Sequence, residues 1–284
     1  MIIDGKIISS SVKEQIKNEV LALKEKGVRP GLVVIKVGND PASAVYVRNK
    51  KRACEELGIY SEEYALPEET SEKELLELIN ELNSREDIDG ILCQLPLPKH
   101  LNESVVINAI SPEKDVDCFH PENVGKVLIG EDGFKPCTPA GVIEMLKHSG
   151  IEIAGKNCVV LGRSNIVGKP MALLLLAENG TVTVCHSKTK NLKEITKKAD
   201  ILVAAIGKAK FVTADMVKKG AVVIDVGINR DENGKLCGDV DFNKVSKKAA
   251  AISPVPGGVG LMTVTMLMQN TLTSAKKKAL KEVK

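Results

Sequence analysis

Aromatic side chains are scarce in this 284-residue chain: three Tyr, four Phe and no Trp, 2% of the whole. Its core must therefore be aliphatic, and a nucleic-acid surface of basic residues interleaved with stacking rings is excluded. Charge of one sign is lacking too, since a net charge of +3 is too small and too dispersed to track a phosphate backbone. No segment reaches the roughly 18 to 20 uninterrupted apolar residues that a membrane span needs; the longest run, Met171 to Ala177, reads as helix core. The start, Met1-Ile2-Ile3-Asp4-Gly5-Lys6, has no apolar stretch behind a basic head. Seven cysteines, an odd number with no Cys-x-x-Cys pair and no paired histidines, exclude a disulfide framework and a zinc site. No metal and no membrane are expected, and a reducing, cytoplasmic setting follows.

What is present suits two domains: 43% apolar and 27% charged residues bury a substantial core at this length. Helical spacing of Val12, Ile16, Val20 and Leu23 predicts a helix over Ser9 to Lys26, stopped by Gly27. Gly31 to Val37 reads as a buried strand, Ala42 to Leu57 as a helix closed by Gly58, and Tyr64 to Leu66 as a short strand. Ser71 with Glu74 forms a capping box for a helix running to about Asn83. Asp89 to Leu95 is a strand that Pro96 and Pro98 prevent from continuing, which puts Gln94 at its carboxyl end. The run from Ser111 through Asp117 reads as loop, and Thr138 is expected to cap a helix with Pro139 at its first position and Gly150 at its close. The second half alternates regularly: strands Cys158 to Leu161, Val182 to Cys185, Ile201 to Ala205 and Val222 to Val226 are separated by helices Lys169 to Glu178, Leu192 to Ala199 and Ala214 to Lys218. This is the pattern of doubly wound βαβ units. The fold class is thus α/β, with an N-terminal α/β domain over 1–140 and a Rossmann-like dinucleotide-binding domain over 141–261. A final helix from Met262 is expected to pack back on the first domain, ending in a Lys-rich tail.

Two features carry chemistry. Tyr46 and Lys50, four apart on the predicted helix, point the same way and so form a candidate proton-handling pair. Short-chain dehydrogenases place such a pair after their nucleotide loop, whereas here it comes first, which excludes that match. The second feature is Gly162-Arg163-Ser164-Asn165-Ile166-Val167-Gly168, a turn between strand and helix whose backbone amides and helix N-terminus suit a pyrophosphate. Its spacing departs from the usual three-glycine pattern. An NAD site normally ends its second strand in Asp or Glu; this chain has Cys185-His186-Ser187-Lys188. With Arg163 in the first turn and Ser187 at the strand's end, donors and positive charge replace the carboxylate, which favours NADP.

Five segments then coincide with one family. They are Ser43 to Lys50, Asp89 to Pro98, Lys114 to Asp117, Pro136 to Gly141 with Gly162 to Pro170, and Pro254 to Gly260. Over essentially its whole length the chain resembles the bifunctional methylenetetrahydrofolate dehydrogenase/methenyltetrahydrofolate cyclohydrolases. That resemblance implies oxidation of 5,10-methylenetetrahydrofolate with NADP and hydrolysis of the product to 10-formyltetrahydrofolate, in one-carbon metabolism serving purine biosynthesis, by a homodimer. By position it implies that Lys50 is the catalytic amine, Tyr46 its folate-stacking neighbour, Gln94 its hydrogen-bonding partner and Asp117 the carboxylate that holds the pterin. It adds Ser43, Pro96, Pro256 and Gly257 as substrate contacts, and Gly162, Arg163, Ser164, Ile166, Gly168, Ser187 and Ile228 as the NADP site. Two positions depart from the family's pattern: Cys118 stands where glycine is usual and Leu261 where proline is usual.

Chemistry divides the roles. Hydride loss from the methylene carbon leaves a cation shared between two nitrogens, so positioning is what that step needs. Hydrolysis needs proton transfer, worth about 10² to 10⁴ in rate, and an amine buried beside Tyr46 and Val47 suits it because burial disfavours its charged form. Two rivals stand against this reading: another two-domain NADP dehydrogenase, such as an amino-acid or shikimate dehydrogenase, and a folate-binding protein whose catalysis is impaired, motivated by Cys118 and Leu261. Asp115 and Asp117 also have a plain reading as caps of a turn.

Overall fold

The structure is a computed structural model that describes residues 1–282. The chain divides into two compact units, one of Val12–Lys135 with the chain from Val264 onward, the other of Met1–Ser11 with Pro136–Thr263. Both are α/β, and each is built on its own parallel sheet.

The first unit begins within α1 (Gly5–Glu25), followed by β1 (Gly31–Val37), α2 (Pro41–Leu57), β2 (Tyr60–Leu66), α3 (Glu72–Ser84) and β3 (Gly90–Cys93). Strand β1 is central, with β2 and β3 parallel to it on either side. Its Leu32, Val33, Val34 and Ile35 are buried, as a strand covered on both faces requires. Strand β2 is longer than the Tyr64-to-Leu66 reading, because Tyr60 to Tyr64 also pair with β1. Strand β3 is shorter than the Asp89-to-Leu95 reading; Gln94 lies just past it, its N–H bonded to Ile35 O at 2.8 Å. Two short helices, α4 (Glu103–Ala109) and α5 (Pro121–Ile129), flank the loop that carries Lys114 to Asp117, where the sequence pattern predicts no helix.

The second unit runs through α6 (Cys137–His148), β4 (Asn157–Leu161), α7 (Gly168–Ala177), β5 (Thr181–Cys185), α8 (Leu192–Thr196), β6 (Ile201–Ala204), a single 3₁₀ turn at Ala214–Met216, and β7 (Val222–Asp225). A small hairpin of β8 (Asn229–Arg230) and β9 (Leu236–Cys237), then α9 (Phe242–Val245) and β10 (Ala251–Ile252), complete it. The five parallel strands lie in the order β10-β7-β6-β4-β5. Thr138 does not cap α6: it lies inside the helix, and its hydroxyl bonds that of Thr263 at 2.9 Å. The first residues join this unit because Ile3 N–H donates to Ile252 O and Ile252 N–H to Met1 O, at 2.9 and 3.0 Å.

The last helix, α10 (Val259–Glu282), starts three residues before Met262. Its later turns pack in the first unit, where the Asn270 amide donates to Val116 O and Lys135 O and Ser274 Oγ to Glu113 O. These bonds fix the backbone at Glu113 and Val116, just before Asp117, and again at Lys135. Among the described residues no helix is long and apolar enough to cross a membrane, and no three His, Cys, Asp or Glu side chains cluster as metal ligands would. All seven cysteines are buried, and none is in a disulfide.

Candidate active site

Helix α2 places Tyr46 and Lys50 one turn apart. Asp40 starts it by accepting the Ser43 N–H at 2.7 Å, a carboxylate at a helix N-terminus where the exposed amides favour negative charge. Lys50 is only 7% exposed, and its Nζ donates to Gln94 Oε1 at 2.8 Å. Gln94 is itself fixed: its Nε2 donates to Leu95 O at 2.8 Å, which leaves the amide oxygen facing the lysine. Residues 44 apart in sequence thus meet at the carboxyl end of a parallel sheet, where α/β folds put their ligands. Tyr46 is half-buried, and burial raises its hydroxyl above the usual tyrosine value, so it remains a phenol at neutral pH. Ser43 is buried on the same helix and Pro96 is exposed just beyond Gln94.

Asp115 and Asp117 separate clearly. Asp115 accepts from Phe119 N–H, His120 N–H and Asn123 Nδ2 at 3.2, 2.9 and 2.8 Å, which makes it the cap of the following turn. Burial pushes its carboxyl up to about 6 despite those donors. Asp117 is half-buried, and its charge, after burial itself, helps push the Cys93 thiol up to about 12. Cys118 sits at φ 62°, in the left-handed region that glycine favours, with its thiol 1% exposed and donating to Phe134 O. The departure from glycine therefore bears on the backbone, and its side chain turns into the core.

The second unit carries the nucleotide turn. Gly162 ends β4 at φ 122°, and a Cβ there would lie 2.1 Å from Ala205 O at the end of β6. Gly168, the first residue of α7, leaves no more room, since its Cβ would lie 2.4 Å from Gly162 O. Strands β5 and β6 flank β4 on opposite sides, so the connections diverge here and open a crevice at the switch point. Arg163, Ser164, Ile166, Ser187 and Ile228 are all exposed. Ser164 has a local task as well, its Oγ accepting the Val167 and Gly168 N–H groups at 3.1 and 3.2 Å. The end of β5 carries no carboxylate. Pro256 and Gly257 belong to this unit, in the turn before α10, where Gly260 approaches Ile228. Leu261 is exposed in the first turn of α10, its N–H directed at Gly258 O.

Two buried carboxylates that no sequence motif marks, Asp225 at the end of β7 and Asp239 just past β9, also belong to this unit. The signal in the sequence is a glycine close to each, Gly227 and Gly238, which makes room for a side chain to reach the backbone.

A doubly wound nucleotide unit, joined in one chain to an α/β unit with a buried lysine at its sheet end, defines a two-domain dinucleotide-dependent oxidoreductase. The profile of "Tetrahydrofolate dehydrogenase/cyclohydrolase, catalytic domain" matches residues 3–117, and that of "Tetrahydrofolate dehydrogenase/cyclohydrolase, NAD(P)-binding domain" matches residues 136–279. The chain belongs to the tetrahydrofolate dehydrogenase/cyclohydrolase family. It is 66% identical over 277 residues to the bifunctional protein FolD of Lachnoclostridium phytofermentans, covering 98% of each chain. Among solved structures, the bifunctional enzyme FolD of Campylobacter jejuni superposes with a TM-score of 0.96 at 50% identity, covering 98% of this chain and 99% of that one. The Trypanosoma brucei dehydrogenase-cyclohydrolase, complexed with NADP cofactor and inhibitor, gives 0.94 at 41% identity and covers 98% of both.

Proposed function

We propose that this chain oxidises 5,10-methylenetetrahydrofolate to the 5,10-methenyl compound with NADP, then hydrolyses that product to 10-formyltetrahydrofolate. The observation that carries the reading is the buried Lys50 held by the Gln94 amide at a sheet's carboxyl end, in a chain whose two halves match the family's two domains. NADP, when bound, supplies the acceptor for the hydride that leaves the methylene carbon. The side chains do the rest.

The turn suits that cofactor: Gly162 and Gly168 let its backbone pack tightly into the start of α7, Arg163 offers charge, and Ser187 takes the place of a carboxylate that would repel a 2′-phosphate. Ile166 and Ile228 add apolar contact. Asp117 binds the pterin by accepting hydrogen bonds from its 2-amino and N3 groups, and Tyr46 forms the wall on which the ring system stacks, with Ser43 and Pro96 as further contacts. Oxidation then proceeds by positioning. In hydrolysis, water adds to the methenyl carbon and loses a proton to leave a neutral carbinol; the bond from that carbon to N5 then breaks as N5 takes a proton and the hydroxyl releases its own proton to solvent, becoming the formyl C=O. Lys50 accepts the first proton from water and returns it to N5, with Gln94 orienting the amine.

The working enzyme on this reading is a cytoplasmic homodimer supplying one-carbon units for purine biosynthesis, supported by the family likeness. Incubating the protein with methylenetetrahydrofolate and either NADP or NAD, and following methenyl absorbance over time, tests the whole. With NADP the signal should rise and then decay. Folate binding with no rise on either dinucleotide would favour a binding protein that has lost catalysis.

A further inference from the structure

The second unit contains a carboxylate relay that the chemistry above does not use. Asp239 is fully buried, and its two oxygens accept four hydrogen bonds: Oδ2 from the N–H groups of Ile206 and Gly207 at 2.7 and 3.1 Å, Oδ1 from Lys208 N–H and Asn229 Nδ2 at 2.8 and 2.9 Å. Three consecutive amides converging on one point form a nest, the backbone arrangement that binds anions. Here the anion is the chain's own. Asp239 is held in turn by Asp225, whose Oδ1 accepts the N–H groups of Asp239 and Gly227 at 2.9 and 3.1 Å and whose Oδ2 accepts that of Val240 at 3.0 Å. The approach depends on two glycines, since a Cβ on Gly227 would lie 2.2 Å from Asp239 Oδ1 and one on Gly238 1.9 Å from Asp225 Oδ2.

What the relay holds matters more than the relay. The segment Ala205 to Lys208 follows β6 and starts packed directly against Gly162 of the nucleotide turn, while Gly227 to Asn229 carries Ile228. Both would be loose without a tether, because loop backbone with unmatched amides has no reason to keep one shape. With four donors on Asp239, the usual lone-pair sites are filled, so it has nothing left for a metal or a proton transfer.

We propose that Asp239 is a positioning residue for dinucleotide binding: it locks the loop after β6, and through Asn229 the loop bearing Ile228, into the walls of the nucleotide crevice. This rests on the NADP reading, which wild-type binding of NADP tests separately. In Asp239→Asn, two of the four donors now meet an NH₂ group where an oxygen had been, so the loops relax while size is kept.

The test is a direct NADP titration by calorimetry on wild type, Asp239→Asn and Asn229→Ala, beside hydrolysis of methenyltetrahydrofolate measured with no dinucleotide present. The proposal expects NADP affinity to fall about tenfold or more in Asp239→Asn and about threefold in Asn229→Ala, with dinucleotide-free hydrolysis within about twofold of wild type. Wild-type affinity in both variants overturns it, as does hydrolysis that falls in step with affinity, which would mark a merely structural part. Should Asp239→Asn fail to fold, Asn229→Ala decides alone. Wild type that binds no NADP would sink the cofactor reading, and this proposal with it.

Discussion

At the scale of single residues, two neighbours in one turn make different predictions. Asp117→Ala removes a carboxylate proposed to accept two hydrogen bonds from the pterin, so folate affinity should fall by about 2–3 kcal/mol, on the order of a hundredfold, with NADP affinity unchanged. An unaltered folate KM would count against the assignment. Cys118 tests the backbone instead. At φ 62° a β-branched residue is strained by about 1–3 kcal/mol, whereas glycine relieves strain but gives up the buried thiol and its bond to Phe134 O. Cys118→Val should therefore unfold at clearly lower urea concentration than Cys118→Gly, although valine is the closer match in volume. The reverse order would show that packing, not φ, governs this position. Which residues meet was only partly legible: Lys50 and Tyr46 follow from helical spacing, but the 2.8 Å approach of Gln94 depends on how β1 and β3 pair.

Elements were legible where local chemistry decides them. The capping box is the clearest case: Glu74 N–H donates to Ser71 Oγ at 3.3 Å and Ser71 N–H to Glu74 Oε2 at 2.8 Å. Ser71→Ala should cost about 1 kcal/mol in urea unfolding and leave both activities intact. No loss of stability would mean that solvent replaces the cap. Strand β2 was under-read because Glu62 and Glu63 interrupt its apolar pattern. Long-range contact supplies what the pattern lacks: Arg85 reaches Glu62 through both terminal nitrogens at 2.7 and 2.8 Å, Tyr64 donates to the same carboxylate, and its pKa is pulled down to about 2. Helix α4 escaped notice because its seven residues bury little beyond Val106. Helix α5 starts on a histidine, His120, outside the usual capping set. Thr138 misled for the opposite reason, a good capping residue spent inside its helix on Thr263.

At the scale of the whole molecule, the alternation of strands and helices in the second half declares a doubly wound sheet, and the aliphatic composition declares its core. The return of α10 to the first unit is a tertiary fact that periodicity only suggests. Stability against pH is also a property of the whole. Asp115 ionises near 6 in the fold, above the ordinary aspartate value of 3.8, so the folded state holds its proton more tightly than the unfolded chain does. Its contribution is complete below about pH 4 and lost as pH rises through about 6, roughly 3 kcal/mol across the window. The stability advantage of wild type over Asp115→Asn should therefore shrink between pH 4 and 7, read by urea unfolding at each pH; a constant difference would contradict the assignment. Asp225 and Asp239 were the least legible, because their partners are backbone amides of loops brought together only by the sheet order.

On the proposed mechanism, oxidation and hydrolysis make different demands, and Lys50 answers only the second. One measurement tests it directly: give Lys50→Met methylenetetrahydrofolate with NADP and follow formation and decay of the methenyl compound in the same trace, corrected for its spontaneous hydrolysis. The account predicts a rise with no enzyme-dependent decay and NADP affinity as in wild type. Decay at the wild-type rate would remove Lys50 from the mechanism.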